Sequence, residues 1–155
     1  MKKGFHLTTI SAFCMMASTA HAGIPVWSFT PNGSPVVNIT NTGTATVSYT
    51  ITNNSVKPHQ LVLASNTPSG ITQSGGACVL AGRSASNPTP TCTLTLNING
   101  SQLPSDNVSG GPILCQVNNG MPNPSQCYQP SPADMLVITR TTVPVDNTTL
   151  SASVS

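Results

Sequence analysis

The run Thr44–Asn53 constrains this chain more than any other feature. Ala45, Val47, Tyr49 and Ile51 occupy one parity, and Thr44, Thr46, Ser48, Thr50 and Thr52 the other. Successive side chains of a strand point to opposite faces, so a period of two describes a strand with one buried and one solvated face. On a helix the same residues would scatter around the axis. Thr91–Ile98 repeats the pattern, with Cys92, Leu94, Leu96 and Ile98 set against Thr91, Thr93, Thr95 and Asn97. Shorter runs at Pro25–Thr30, Val36–Thr40, His59–Ala64, Gly70–Thr72, Ala77–Leu80, Gly110–Val117 and Leu136–Thr142 are also predicted strands. The turn-rich stretches Gly82–Pro90 and Asn118–Gln126 are predicted loops. Roughly 7–9 short strands at this spacing predict an all-β, antiparallel sandwich.

Composition agrees with that fold and removes several function classes. The 155 residues suffice for one domain. Lys, Arg, Asp and Glu together make up 5% of the chain, against roughly 25% in an average soluble domain. Glu is absent. With 14 Pro and 12 Gly, helix formers are scarce, which argues against a helical bundle, a coiled coil or a doubly wound α/β enzyme. A nucleic-acid partner is excluded on the same ground, because no cluster of Lys and Arg is present to neutralise phosphates.

Residues 1–22 have the pattern of an export signal. Lys2 and Lys3 precede an apolar stretch from Phe5 to Ala17, and Ala20-His21-Ala22 supplies the small side chains that signal peptidase requires. The apolar stretch falls short of the ~20 residues that a membrane-spanning helix needs. Cleavage after Ala22 leaves a domain over 23–142 and a segment 143–155. That segment alternates at Leu150, Ala152 and Val154, as an edge strand, a tail or the opening of a further module would. Beyond residue 22 the charges are Lys57, Arg83 and Arg140 against Asp106, Asp134 and Asp146, which cancel. A neutral product has no long-range field to draw it to acidic surfaces. The expected destination is secreted and extracellular, or periplasmic, with no membrane span after cleavage.

Four cysteines remain there, Cys78, Cys92, Cys115 and Cys127. An even number in an exported chain reads as two disulfides. Three connectivities are open. The local one, Cys78–Cys92 with Cys115–Cys127, would close two loops worth on the order of 3 kcal/mol each. Neither a metal nor any other cofactor is expected, since no CxxC pair occurs and His59 is the sole imidazole beyond residue 22. Chemistry is equally thin. No Gly-x-Ser-x-Gly elbow accompanies His59, and Asp106, Asp134 and Asp146 stand apart in turn-like surroundings. Trp27 and Tyr49 fall on apolar strand faces and are expected in the core. His59, at a strand start, and Tyr128, beside Cys127, are the candidate surface contacts. Arg140 is expected to face solvent, where a charge discourages edge pairing.

Two sets of segments carry a resemblance. Val37–Ser55 (VNITNTGTATVSYTITNNS) resembles the leading strands of bacterial immunoglobulin-like, cell-adhesion-related modules. Gly23–Pro31, Cys92–Leu103, Gly110–Cys115 and Gln126–Pro130 resemble small secreted β-sandwich proteins of intracellular gamma-proteobacteria. That resemblance implies export, an immunoglobulin-like sandwich with paired cysteines, and an extracellular role without a transferable catalytic residue. The expected function is a secreted, non-catalytic binding or interaction protein, in a virulence-associated or surface-adhesion role, with a protein or glycan partner. The alternative is a structural subunit of a surface fibre, a homo-oligomer assembled by strand exchange with 143–155 as donor. A secreted hydrolase is the least favoured class.

Overall fold

The computed structural model describes residues 24–142; the predicted export signal 1–22 and the segment 143–155 lie outside the described residues. Among the described residues there are eleven strands: β1 (Trp27–Pro31), β2 (Val36–Thr40), β3 (Thr44–Asn53), β4 (His59–Leu63), β5 (Ile71–Ser74), β6 (Cys78–Leu80), β7 (Thr91–Asn99), β8 (Asn107–Ser109), β9 (Leu114–Asn118), β10 (Met121–Tyr128) and β11 (Val137–Thr141). They form three sheets, ordered β1-β3-β7-β5, β10-β9-β4-β6 and β2-β11-β8. Every pairing is antiparallel except that of β2 with β11, which is parallel from Val36↔Val137 to Thr40↔Thr141.

The two long alternating runs become the central strands of the first sheet. β3 and β7 pair in register, with Val47 opposite Leu96, Tyr49 opposite Leu94 and Ile51 opposite Cys92. All the apolar residues of that register therefore fall on one face. Trp27 and Phe29 of β1 extend the same face, opposite Asn53 and Ile51. Leu61 and Leu80 from the second sheet, and Ile39, Val108 and Ile138 from the third, join them in a single apolar cluster. Trp27, Tyr49, Ile51, Leu94 and Leu114 are fully buried there.

Two strands exceed the seven to nine expected, and each has a physical reason for escaping notice. β8 is three residues long with one apolar side chain, Val108, too short to show a period. β10 runs through the stretch predicted to be a loop and contains Pro122 and Pro124. Proline is tolerated on an edge strand, where the missing N–H would face solvent. β10 is such an edge, and its register shifts between Pro122 and Cys127, where it pairs again with β9.

The disulfides are Cys78–Cys92 and Cys115–Cys127. The first ties β6 of the second sheet to β7 of the first. The second joins directly opposed residues of β9 and β10. Two such bonds fit a compartment outside the reducing cytoplasm. Among the described residues no helix is long and apolar enough to cross a membrane.

Arg140 does not face solvent as a free charge. Because β11 is central in its sheet, the side chain lies along the 3₁₀ turn Gly100–Gln102. Its Nη1 donates to the carbonyls of Gly100 (2.9 Å) and Leu103 (3.0 Å), and its Nη2 lies 2.9 Å from Asp106 Oδ1. The guanidinium fork suits this combination of carbonyls and carboxylate.

Candidate functional site

The buried half of the first sheet's register fixes what lies on its other half. Outward side chains form rows across the strands: Ser28–Thr52–Thr91, Thr30–Thr50–Thr93, Ser48–Thr95–Ser74, Thr46–Asn97–Thr72 and Thr44–Asn99. Hydroxyls and carboxamides occupy every one of these positions, and none carries a charge. Neighbours within a row are about 4.8 Å apart, and successive rows about 6.8 Å, by the ordinary spacing of strands and of alternate residues. The β1 side of this face is partly spoken for. Thr50 Oγ1 donates to Asn32 Oδ1 (2.7 Å), and Asn32 Nδ2 donates to Ser48 Oγ (3.3 Å).

The β5 side is open and concave. A depression of about 360 Å³ is lined by the polar residues Thr44, Thr46, Thr72, Asn97, Asn99 and Gln102 together with Gly70, Ala45 and Ile98. Asn99 Oδ1 accepts from the amide N–H (3.1 Å) and hydroxyl (2.8 Å) of Ser101, which caps the 3₁₀ turn and orients the carboxamide. Ser69 Oγ donates to the carbonyl of Gln102 (2.8 Å), so the rim is tied to the turn before β5. Gly70 is required at this point: its φ is +83°, and a Cβ there would lie 2.8 Å from the Asn99 carbonyl. Among the described hydrogen bonds none engages the hydroxyls of Thr44, Thr46 and Thr72 or the side-chain amides of Asn97 and Gln102.

His59 and Tyr128, the two contacts proposed from sequence, lie together on the second sheet. Both are half-buried and both pack on Trp27, whose ring centroid is 5.4 Å from His59 and 4.7 Å from Tyr128. The Tyr128 and Trp27 rings stand at 74° to each other, and Tyr128 packs against the edge of the core. Tyr49 is fully buried, and its hydroxyl donates to the Asp134 carbonyl (3.1 Å). Burial, with the Asp134 charge adding to it, pushes the Tyr49 phenol up to about 12.

His59 also has two partners that the sequence did not advertise. Its Nδ1 lies 2.7 Å from Gln116 Oε1 and its Nε2 lies 2.8 Å from Ser55 Oγ. The amide oxygen accepts from Nδ1–H, which leaves Nε2 to accept from the Ser55 hydroxyl. Ser, His and Gln thus stand in the order of nucleophile, base and orienting group. These bonds clasp the β3–β4 turn against β9. Ser55 Oγ also accepts from the Lys57 amide (3.2 Å) and lies 3.1 Å from the Lys57 carbonyl. One cavity beside this turn is lined by Val56, Arg83, Ser84 and Pro88. Ser55 stands four residues before His59, whereas Gln116 becomes its neighbour only through the pairing of β4 with β9.

Among the described residues no three His, Cys, Asp or Glu side chains gather where they could hold a metal ion. No protein-family model, no curated protein and no solved structure matches the chain.

Proposed function

We propose that the chain is a secreted, non-catalytic binding module with an immunoglobulin-like sandwich fold, and that the uncharged outer face of β1-β3-β7-β5 is its contact surface. One observation carries this reading: the five cross-strand rows of hydroxyl and carboxamide groups, uninterrupted by a charge. Such groups donate and accept at once, and they bind without desolvating an ion. A partner of matching chemistry is itself neutral and rich in hydroxyls or amides, a glycan or a polar protein surface.

The strand order favours the immunoglobulin-like assignment. With β1, β3, β4, β5, β7, β9 and β10 as strands A to G, one sheet reads A-B-E-D and the other G-F-C. β6 is added beside β4 after strand D, and β2, β8 and β11 are additions. Export rests on the signal pattern of residues 1–22, and the two disulfides are in keeping with it.

The test is binding of the oxidised protein to immobilised glycans and extracellular proteins, compared between the natural chain and a Thr93→Lys/Thr95→Lys variant. Both residues face outward on β7, so charge enters the middle of the face without touching the core. Loss of binding in this variant, and its retention in an Asn38→Lys variant on β2, is expected. Equal binding by all three proteins refutes the reading.

A fibre subunit is the second reading, favoured by a different observation. An apolar cavity of about 230 Å³ lies between the ends of two sheet-edge strands, touching Ile71 at the start of β5 and Ser109 at the end of β8, with Leu136 and Ile113 in its wall. Sheet edges accept an added strand, and the alternation at Leu150, Ala152 and Val154 supplies a suitable one. A truncation ending at Thr142 then loses polymerisation, whereas a binding module keeps its size and its ligand.

A further inference from the structure

We infer that the depression at the β5 end of the uncharged face is a subsite for a neutral sugar unit of a glycan, an inference that rests on the binding-module reading and narrows its partner. The position follows from where the face is free. Asn32 consumes hydroxyls toward β1, while the row Thr46–Asn97–Thr72 makes no side-chain bond among those described. The face as a whole cannot serve a flat or crystalline ligand. Adjacent strands rotate by roughly 20–25°, so four of them turn the rows well out of one plane. A ligand gains most where the sheet is locally concave, and that place is the depression of about 360 Å³. Its size is at the small end of the ~300–1,000 Å³ typical of ligand sites, which suits one or two sugar rings and not a folded partner.

The lining decides the chemistry. Thr46 and Thr72 flank Asn97 in one row, so two hydroxyls stand on either side of a carboxamide that both donates and accepts. Sugar hydroxyls have the same dual character as donors and acceptors. The Asn99 carboxamide, held through its Oδ1 by Ser101, presents its Nδ2 as an oriented donor. No Lys, Arg, Asp, Glu or His lines the depression, so a uronate or sialylated unit finds no counter-charge and an amine finds no carboxylate. No aromatic ring lines it either. Stacking therefore contributes nothing, and affinity for a single unit rests on hydrogen bonds and on apolar contact with Ala45 and Ile98.

Titrating the isotope-labelled, oxidised protein with maltotriose, cellotriose and chitotriose, and with a trigalacturonate as the charged control, tests this by amide chemical shifts. At least one neutral trisaccharide is expected to move the amides of Thr46, Thr72, Asn97 and Asn99 in a saturable way, unaffected by EDTA. Thr46→Val and Thr72→Val keep the shape and remove the hydroxyls; each is expected to weaken binding several-fold at unchanged melting temperature. Shifts caused equally by the trigalacturonate overturn the neutral-sugar assignment. Silence with all three neutral sugars overturns the subsite, while loss of immobilised-partner binding in the Thr93→Lys/Thr95→Lys protein would still leave the binding-module reading standing.

Discussion

Asn53 ends the longest alternating strand and, among the described residues, is the one buried Asn, Gln, Ser, Thr or charged residue, with no solvent exposure. Its Nδ2 donates to the carbonyls of Lys57 (2.7 Å) and Ala81 (2.8 Å), and its Oδ1 accepts from the Ser55 amide (2.9 Å). The carboxamide therefore fastens the β3–β4 turn to the chain leaving β6. Asn53→Ala strands those three backbone groups. The Ser55 hydroxyl proton is taken by His59 Nε2, so no side chain replaces the lost donor at the Lys57 carbonyl, while the exposure of Lys57 and Ala81 lets water meet part of the loss. At about 0.5–1.5 kcal/mol net for each of the three lost hydrogen bonds, the expected cost is roughly 1.5–4.5 kcal/mol. That is a large part of the ~5–15 kcal/mol that holds a domain folded, and it lowers the melting temperature by on the order of 10 °C. Urea unfolding of the oxidised protein measures it, provided the slope of stability against denaturant is unchanged. Asn53→Asp adds a sign that cavity formation alone does not produce. Oδ1 keeps the Ser55 amide, but the oxygen that replaces Nδ2 faces two carbonyls without a donor, so the carboxyl's pKa in the folded state rises above the unfolded value. The variant is then most stable below the ordinary carboxylate range and loses stability as pH rises from about 4 through the raised folded value. An Asn53→Ala protein within about 0.5 kcal/mol of the natural one, or an Asn53→Asp protein whose stability ignores pH, refutes the role given to this carboxamide.

Three more outcomes follow from the same structure. Because the Tyr49 phenol is raised from 10.0 to about 12, the unfolded chain releases this proton first. Stability is then intact below pH 10 and falls by about 1.4 kcal/mol per unit as pH climbs toward 12; Tyr49→Phe should lose that slope, and an unchanged slope would contradict the assignment. A Cβ at Gly100 would run into the carbonyl oxygen of Thr40, whereas one at Gly75 meets nothing but has a φ of +78°. Gly100→Ala should therefore cost more than the ~1 kcal/mol expected of backbone strain in Gly75→Ala, measured as the difference in urea midpoint. Replacing Cys78 and Cys92 together by Ser removes a 14-residue link between two sheets, which is worth about 3 kcal/mol, and calorimetry of the double variant should show a correspondingly lower melting temperature.

What the sequence disclosed and what it withheld divide along a physical line. β2, β3 and β7 could be bounded almost to the residue, because alternation is a property of the strand itself and needs no partner. The hydroxyl face was visible for the same reason: Thr44 to Thr52 and Thr91 to Asn97 declare their own parity. The rows could not be seen, since a one-residue slip of β7 against β3 would leave each strand's pattern intact and pair Thr46 with a core residue. β10 was hidden by Pro122 and Pro124, whose cost depends on whether a strand is central or at an edge, which is decided by its neighbours. Arg140 misled for the converse reason. A charge late in the chain looks like edge protection, until β2 pairs with β11 in parallel and makes the strand central. The pair His59–Gln116 is 57 positions apart and exists only because β4 lies beside β9. The same dependence on register bears on function. Thr72 and Asn97 are ordinary surface residues on their own strands, and become a shared rim only once Ile71 is set against Ile98. A single core contact thus places the open end of the face, so packing of the buried side determines which polar groups converge on the other.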